Sequence, residues 1–236
     1  MKEPSFSFCD LESQFKKAVA MGYEILTCAE YAERKGDVDR PTIVNRVDID
    51  VSVKKADRLR EIFARNGIRG TFFIRLHANE YNPFSFENYR IIKSIAEHDN
   101  EIGYHSEIVD QAHIWDEVVE DCLVRDINVM NQMFGVRIKG VASHGGLTGL
   151  NNLDFWGSRA AREFGLAYEA YDRDGLNLFH RSRYISDSEW TRWKSYQNGV
   201  LMGDDRRSLA EHLDDQPPLI YLLLHPETYF DRHIYE

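Results

Sequence analysis

RVDIDVS (46–52) ends an apolar run that opens at Pro41, and it sets two carboxylates two residues apart. Side chains of a strand alternate between its faces. A strand over 42–50 therefore puts Ile43, Val47 and Ile49 on one side, and Val44, Arg46, Asp48 and Asp50 on the other. Two carboxylates ~7 Å apart among apolar residues cost folding energy unless a cation, an arginine or a substrate compensates. The plain structural alternative is a buried salt bridge to Arg46 or capping of the next helix.

Working outward, strand and helix signals alternate. Residues 11–21 read as a helix with Phe15, Ala18 and Met21 on one stripe, and YEILT (23–27) as a short strand. Ser52 caps a helix over 53–66, with Ala56, Leu59, Ile62 and Phe63 on its apolar face and Asn66-Gly67 at its end. GTFFIRL (70–76), EIGYH (101–105), IKGVASH (138–144), LAYEAY (166–171), RYIS (183–186) and PLIYLLLH (218–225) read as further strands. The spacing predicts helices at 86–98, 112–134, 154–164 and 206–213, the second burying Trp115, Val118, Cys122 and Met130. An irregular stretch follows RYIS. This alternation predicts an α/β fold: a distorted, partly closed (β/α) barrel of about seven parallel strands. The whole chain, 1–236, is expected to be one such domain, with 1–40 a helical and strand extension packed on it.

The 29 basic against 39 acidic residues give a net charge of −10, which argues against a nucleic-acid phosphate track. No apolar run approaches the ~20 residues of a membrane span. The start, MKEPSFSFCDLESQ, lacks the apolar core of a signal peptide. Cys9, Cys28 and Cys122 have no CxxC spacing and read as reduced, buried or semi-buried thiols. A cytoplasmic protein is the expectation.

Barrels of this kind carry their chemistry at the C-terminal ends of strands. Asp48, Asp50, His77, His105, His144 and His225 each end a predicted strand, which places four of the nine histidines there. One Asp and two His make a common donor set for Zn²⁺ and similar cations. Asp50, His105 and one further group supply it. Asp48 is then placed to take a proton from water, and His225 to protonate a leaving amine. Taken singly, His105 and His225 read equally well as core histidines. His77, with Arg75 and Tyr81, lines a cleft or simply stands at its rim. His98, His113, His212 and His233 read as surface residues.

RVDID, GIRGTFFIRLHANEYN (67–82), HDNEIGYHSE (98–107), ASHGG (142–146), YISDSEW (184–190) and LLLHPETY (222–229) together resemble the polysaccharide deacetylase family, carbohydrate esterase family 4, over roughly residues 40–230. The resemblance is to a divergent branch with a DxD first motif. It implies a distorted (β/α) barrel and metal-dependent hydrolysis of an N-acetyl or related acyl group on a sugar. It implies Asp48 as base, Asp50 and His105 as metal ligands, His225 as general acid, and Asp187 and Trp190 as the residues that orient that acid and wall the pocket. Core packing is the plain alternative for Trp190.

The sequence departs from that pattern twice. Val109 stands where the family has a second histidine, so the third ligand comes from elsewhere: His144, with Glu107 or Asp110 as alternatives. ASHGG lacks the arginine that pairs with the base, and Arg46 is the replacement on the strand face of Asp48. Backbone N–H groups at Gly145 and Gly146 are candidate oxyanion donors, or simply a turn. The expected partner is an acylated sugar or a lipid- or nucleotide-linked saccharide, with a divalent metal, zinc first, as cofactor. The alternatives are a catalytically inactive sugar-binding protein on the same scaffold, or a metal enzyme cleaving another acyl bond.

Overall fold

The computed structural model describes residues 6–232. His233 and the ends of the expected 1–236 domain lie outside the described residues. The strands are β1 (Glu24–Leu26), β2 (Thr42–Ile49), β3 (Thr71–Ile74), β4 (Glu101–Ser106), β5 (Gly140–Ser143), β6 (Tyr168–Glu169), β7 (Arg183–Ser186), β8 (Lys194–Gln197), β9 (Val200–Leu201) and β10 (Leu219–Leu224). The helices are α1 (Phe8–Ala20), α2 (Cys28–Glu33), α3 (Val53–Arg65), α4 (Phe86–Glu97), α5 (Ile108–Trp115), α6 (Val119–Phe134) and α7 (Leu209–His212).

Seven parallel strands run in the order β6-β5-β4-β3-β2-β10-β7. β1 pairs with the first residues of β2, and β3 takes over from Arg46 onward. Among the described residues no ladder closes the sheet. Across the gap, Tyr221 Oη donates to Ala170 O at 3.2 Å, and the hydroxyls of Tyr171 and Tyr184 lie 3.2 Å apart. This is the partly closed barrel that the strand-helix alternation predicts.

Alternation sorts the side chains into two cores. Ile43, Val47, Ile49, Phe72, Ile74, Tyr104, Val141, Ile220, Leu222 and Leu224 pack outward under the helices. Val44, Phe73, Ala142, Tyr168, Tyr184, Tyr221 and Leu223 pack inside the curve. The interior is filled by rings, and Gly140 makes room for one: a Cβ there would stand 2.1 Å from the Tyr168 ring. Helix α3 starts where Ser52 Oγ accepts from Lys55 N, and its stripe of Val53, Ala56, Leu59, Ile62 and Phe63 is buried. The Phe15 ring of α1 meets Phe63 edge-on at 5.4 Å, which ties the first helix to this layer.

Several sequence expectations need correction. The long helix over 112–134 is two helices, α5 and α6, broken at Asp116 in the left-handed conformation (φ 55°). Cys122 and Met130 are buried as expected, but the break turns Trp115 and Val118 out to solvent. The helix over 154–164 is two short 3-10 turns, Asn152–Gly157 and Ala161–Phe164. The irregular stretch after β7 contains the antiparallel pair β8–β9, turning at Asn198-Gly199 with φ of 52° and 79°. Asn-Gly is the usual signature of such a turn, so the signal was present in the sequence. His212 is buried rather than on the surface, with Nδ1 3.0 Å from Arg183 Nη1. Cys9 is exposed, while Cys28 and Cys122 are buried. Among the described residues no helix is long and apolar enough to cross a membrane.

Candidate active site

The interior face that carries Val44, Arg46 and Asp48 on β2 also carries Phe73 on β3, His105 on β4, Ala142 on β5 and Tyr221 on β10. Continuing the strands at that parity, by two residues and from Tyr221 by four, reaches Asp50, Arg75, Glu107, His144 and His225. Parallel pairing brings all these strand ends to one rim. Convergence from distant parts of the chain is thus a consequence of period-2 alternation in a parallel sheet.

At that rim one ligand atom each of Asp50, His105 and His144 lies within 4.8 Å of the others. His105 Nε2 stands 3.2 Å from Asp50 Oδ1, and His144 Nε2 stands 3.8 Å from the same oxygen. His105 Nδ1 lies 2.8 Å from Ala142 O, so that nitrogen carries the proton and donates. Its Nε2 then faces Asp50 and, at 3.4 Å, Asp48 Oδ2. Two carboxylates opposite Nε2 call for positive charge there, which either a ring proton, favoured against burial by Asp48 and Asp50, or a cation supplies. Asp50 Oδ1 is buried and accepts no aligned hydrogen bond. Burial alone would raise the Asp50 pKa, but the close His105 ring, with His225 and His144, holds it well below the usual carboxylate range. One carboxylate and two imidazoles with an orphaned oxygen fit a divalent cation of the zinc type.

Glu107 and Asp110, the alternative third ligands, stand elsewhere. Glu107 Oε1 lies 3.3 Å from His144 Nδ1 and accepts from Arg75 at 3.2 and 2.7 Å. Burial would raise its pKa, yet His144 and Arg75 bring it down to about 2. Arg75 also donates to Asp50 O at 2.9 Å, so it ties the backbone of one cluster member to the carboxylate behind another. Carboxylates behind ligating histidines fix ring orientation in metal sites. Sequence reasoning weighed Glu107 as a ligand and missed this backing position. Asp110 holds the loop after β5: it accepts from Leu147 N, Thr148 N, Thr148 Oγ1 and Asn152 Nδ2. In that loop a Cβ on Gly146 would sit 1.5 Å from Leu150 O, so only glycine permits the turn beside His144.

Arg46 and Asp48 form a two-bond ion pair, 2.8 and 2.6 Å long, with side chains 1% and 3% exposed. The Arg46 guanidinium lies 4.7 Å from the Tyr171 ring centre and 5.5 Å from that of Phe73. Burial opposes the Asp48 charge, but Arg46, then His105, keep its pKa lowered. Opposite, His225 Nδ1 lies 2.6 Å from Asp187 Oδ1, and its backbone N donates to the same carboxylate at 2.8 Å. Its Nε2 points toward Asp50 Oδ2 at 3.8 Å. Burial would lower the His225 pKa, but Asp187 raises it to about 9. Trp190 is 48% exposed beside this loop and is not a core residue; its N donates to Asp187 O at 2.8 Å. A cavity of about 730 Å³ lies apart from this cluster, along β6 between Trp156, Arg159 and Tyr171.

No family model matches the chain, and no curated protein matches it in sequence. Solved structures share parts of its backbone course, three of them as follows. The Streptococcus pyogenes deacetylase PplD in complex with acetate is 10% identical, with a TM-score of 0.44 over 56% of this chain and 59% of that one, less than two thirds of its length. The deacetylase domain of BpsB from Bordetella bronchiseptica is 12% identical, with a TM-score of 0.49 over 97% of this chain and 87% of that one. IcaB from Ammonifex degensii is 14% identical, with a TM-score of 0.52 over 69% of this chain and 75% of that one, and the likeness to it is one of fold.

Proposed function

We propose that this protein is a metal-dependent hydrolase that removes an acyl group, N-acetyl first, from a saccharide destined for the cell surface. The observation that carries the reading is the trio Asp50, His105 and His144, flanked by the Arg46–Asp48 pair on one side and the Asp187–His225 pair on the other. The choice of a sugar amide rests on the motif resemblance set out above. Asp50 and the Nε2 atoms of His105 and His144 would hold the cation. Bound there, it supplies a Lewis acid that polarises the acyl carbonyl and lowers the pKa of water.

The chain's own groups do the rest. Asp48, kept ionised by Arg46, accepts a proton from the attacking water. His225, kept protonated near neutral pH by Asp187, gives its Nε2 proton to the departing amine. Glu107 and Arg75 hold His144 and Asp50 in place. The alternative of an inactive sugar binder came from Val109 and from the missing arginine of ASHGG. His144 in the cluster and Arg46 on Asp48 make up for both, which supports the active reading. Elemental analysis of the purified protein, with acetate release from N-acetylated sugars, tests it. The expected result is about one zinc-type ion per chain, lost together with acetate release in Asp50→Ala. A metal-free protein, or an Asp50→Ala variant with full activity, overturns it.

A further inference from the structure

Val109 brings no ligand to the cluster, but its backbone N–H is put to use. Asn152 Oδ1 accepts from Val109 N at 2.9 Å and from Asp110 N at 3.2 Å. These are the second and third residues of α5, whose own N-cap, Glu107, makes no side-chain cap hydrogen bond. The first N–H groups of a helix lack partners within it, so a side chain from beyond β5 supplies the cap. With its other end the Asn152 amide donates to Asp110 Oδ2 at 2.7 Å and to the carbonyl oxygen of His144 at 3.1 Å. Two hydrogen bonds accepted and two donated use the whole capacity of the amide, and one orientation alone satisfies them. Asn152 is fully buried.

His144 needs such a hold. Gly145 and Gly146 follow it directly, and Gly149 stands at φ 87°. Glycine loses the most backbone freedom on ordering. No buried apolar side chain anchors residues 145–151, since Leu147 and Leu150 are both exposed. Polar ties fix the loop instead. Asp110 accepts from the N–H groups of Leu147 and Thr148, and Asn152 donates to the carbonyl of His144 itself. His144 N donates to Ser106 O at 3.0 Å, so the residue is tied at both backbone ends to the junction of β4 and α5. His105 stands on that same junction, directly before Ser106. The two imidazoles lie 5.0 Å apart at 87°. Their spacing depends on a buried amide none of whose hydrogen bonds goes to a ring.

We infer that Asn152 is a positioning residue of the candidate cation site. Through the His144 carbonyl it sets the separation of the His144 and His105 rings, so that the loop after β5 can supply a ligand in place of Val109. The inference deepens the proposed metal site, rests on it, and can fail separately. Zinc affinity is measured by competition with a chelator, and the visible absorption of the Co²⁺-loaded protein reports its ligand set. The proteins are the full chain, Asn152→Ala, His144→Ala and the reciprocal pair Asp110→Asn/Asn152→Asp, each with its Tm. The reciprocal pair keeps a donor facing an acceptor between positions 110 and 152 and keeps the cap of α5, but it turns an acceptor toward His144 O. It therefore separates support of the fold from support of the ligand.

Asn152→Ala is expected to bind zinc about 10- to 100-fold more weakly and to melt at lower temperature. The reciprocal pair should melt above Asn152→Ala yet keep a loss of zinc affinity of about tenfold or more. In both, the cobalt spectrum should move toward that of His144→Ala. If Asn152→Ala does not fold, the reciprocal pair decides alone. Wild-type zinc affinity and an unchanged cobalt spectrum in the reciprocal pair overturn the inference and leave Asn152 as a helix cap. If zinc binding in that case still depends on Asp50 and His144, the metal site stands without it. A wild-type chain that binds no zinc removes both.

Discussion

Replacing Arg46 with methionine leaves a carboxylate buried without its counter-ion. The side chains of the pair are 1% and 3% exposed and share two hydrogen bonds, so solvent cannot stand in for the lost guanidinium. Breaking such a pair from one side costs about 3–5 kcal/mol. The ring contacts with Tyr171 and Phe73 add about 0.5–2 kcal/mol. For a chain of this length 3–5 kcal/mol corresponds to a fall in Tm of roughly 6–20 °C. The sign with pH follows from the Asp48 carboxyl. With Arg46 present its folded pKa is lowered, so the stability it contributes is full above the unfolded value and is lost as pH falls through the folded one. Without Arg46, burial dominates and the folded pKa lies above the unfolded one. The variant then gains protons on folding, and its deficit shrinks from pH 7 toward pH 4. Urea denaturation of the wild type and Arg46→Met at both pH values measures this. The double variant Arg46→Met/Asp48→Leu removes both charges and is expected within about 1 kcal/mol of the wild type, yet inactive. A single variant within 1 kcal/mol of the wild type at pH 7, or a deficit independent of pH, would refute the buried-pair argument.

Asp187→Asn removes the charge that holds His225 protonated, so the alkaline limb of the pH–rate profile is expected to move to lower pH, with kcat down about 10²- to 10⁴-fold; an unmoved limb counts against His225 as the acid. Glu107→Gln is expected to weaken metal affinity about 10- to 100-fold by competition with a chelator, while His144→Ala loses more; equal affinity in all three proteins contradicts the backing arrangement. His212 is buried and its folded pKa is depressed to about 4, chiefly by burial. The stability that comes with its neutral form is full above the unfolded pKa of about 6.5 and is lost as pH falls toward 4. An NMR titration should show its ring resonances unmoved between pH 7.5 and 5.5, and a midpoint near 6.5 would show the ring to be solvated.

The parts of the site that lie on regular strands were legible in the sequence. Asp48 and His105 occupy inward positions of β2 and β4, Asp50 and His225 follow directly on the ends of β2 and β10, and a period of two is enough to place them on one face. His144 required one more inference, that β5 neighbours β4. The same parity reaches Glu107, but its backing role was hidden because it depends on Arg75 and His144 meeting it from two other strands. The division of 112–134 into α5 and α6 was hidden for a different reason. Trp115 and Val118 fit an apolar helical stripe, and nothing in that pattern reveals a left-handed Asp116 that turns them outward. The Asn198-Gly199 hairpin, by contrast, carried a readable turn signal.

The most direct test is an anomalous difference map at the zinc edge from crystals of the protein grown with zinc. A single strong peak bonded to Asp50, His105 Nε2 and His144 Nε2 is the predicted outcome. A peak at another place, or zinc-soaked crystals with no density between these three side chains, would contradict it.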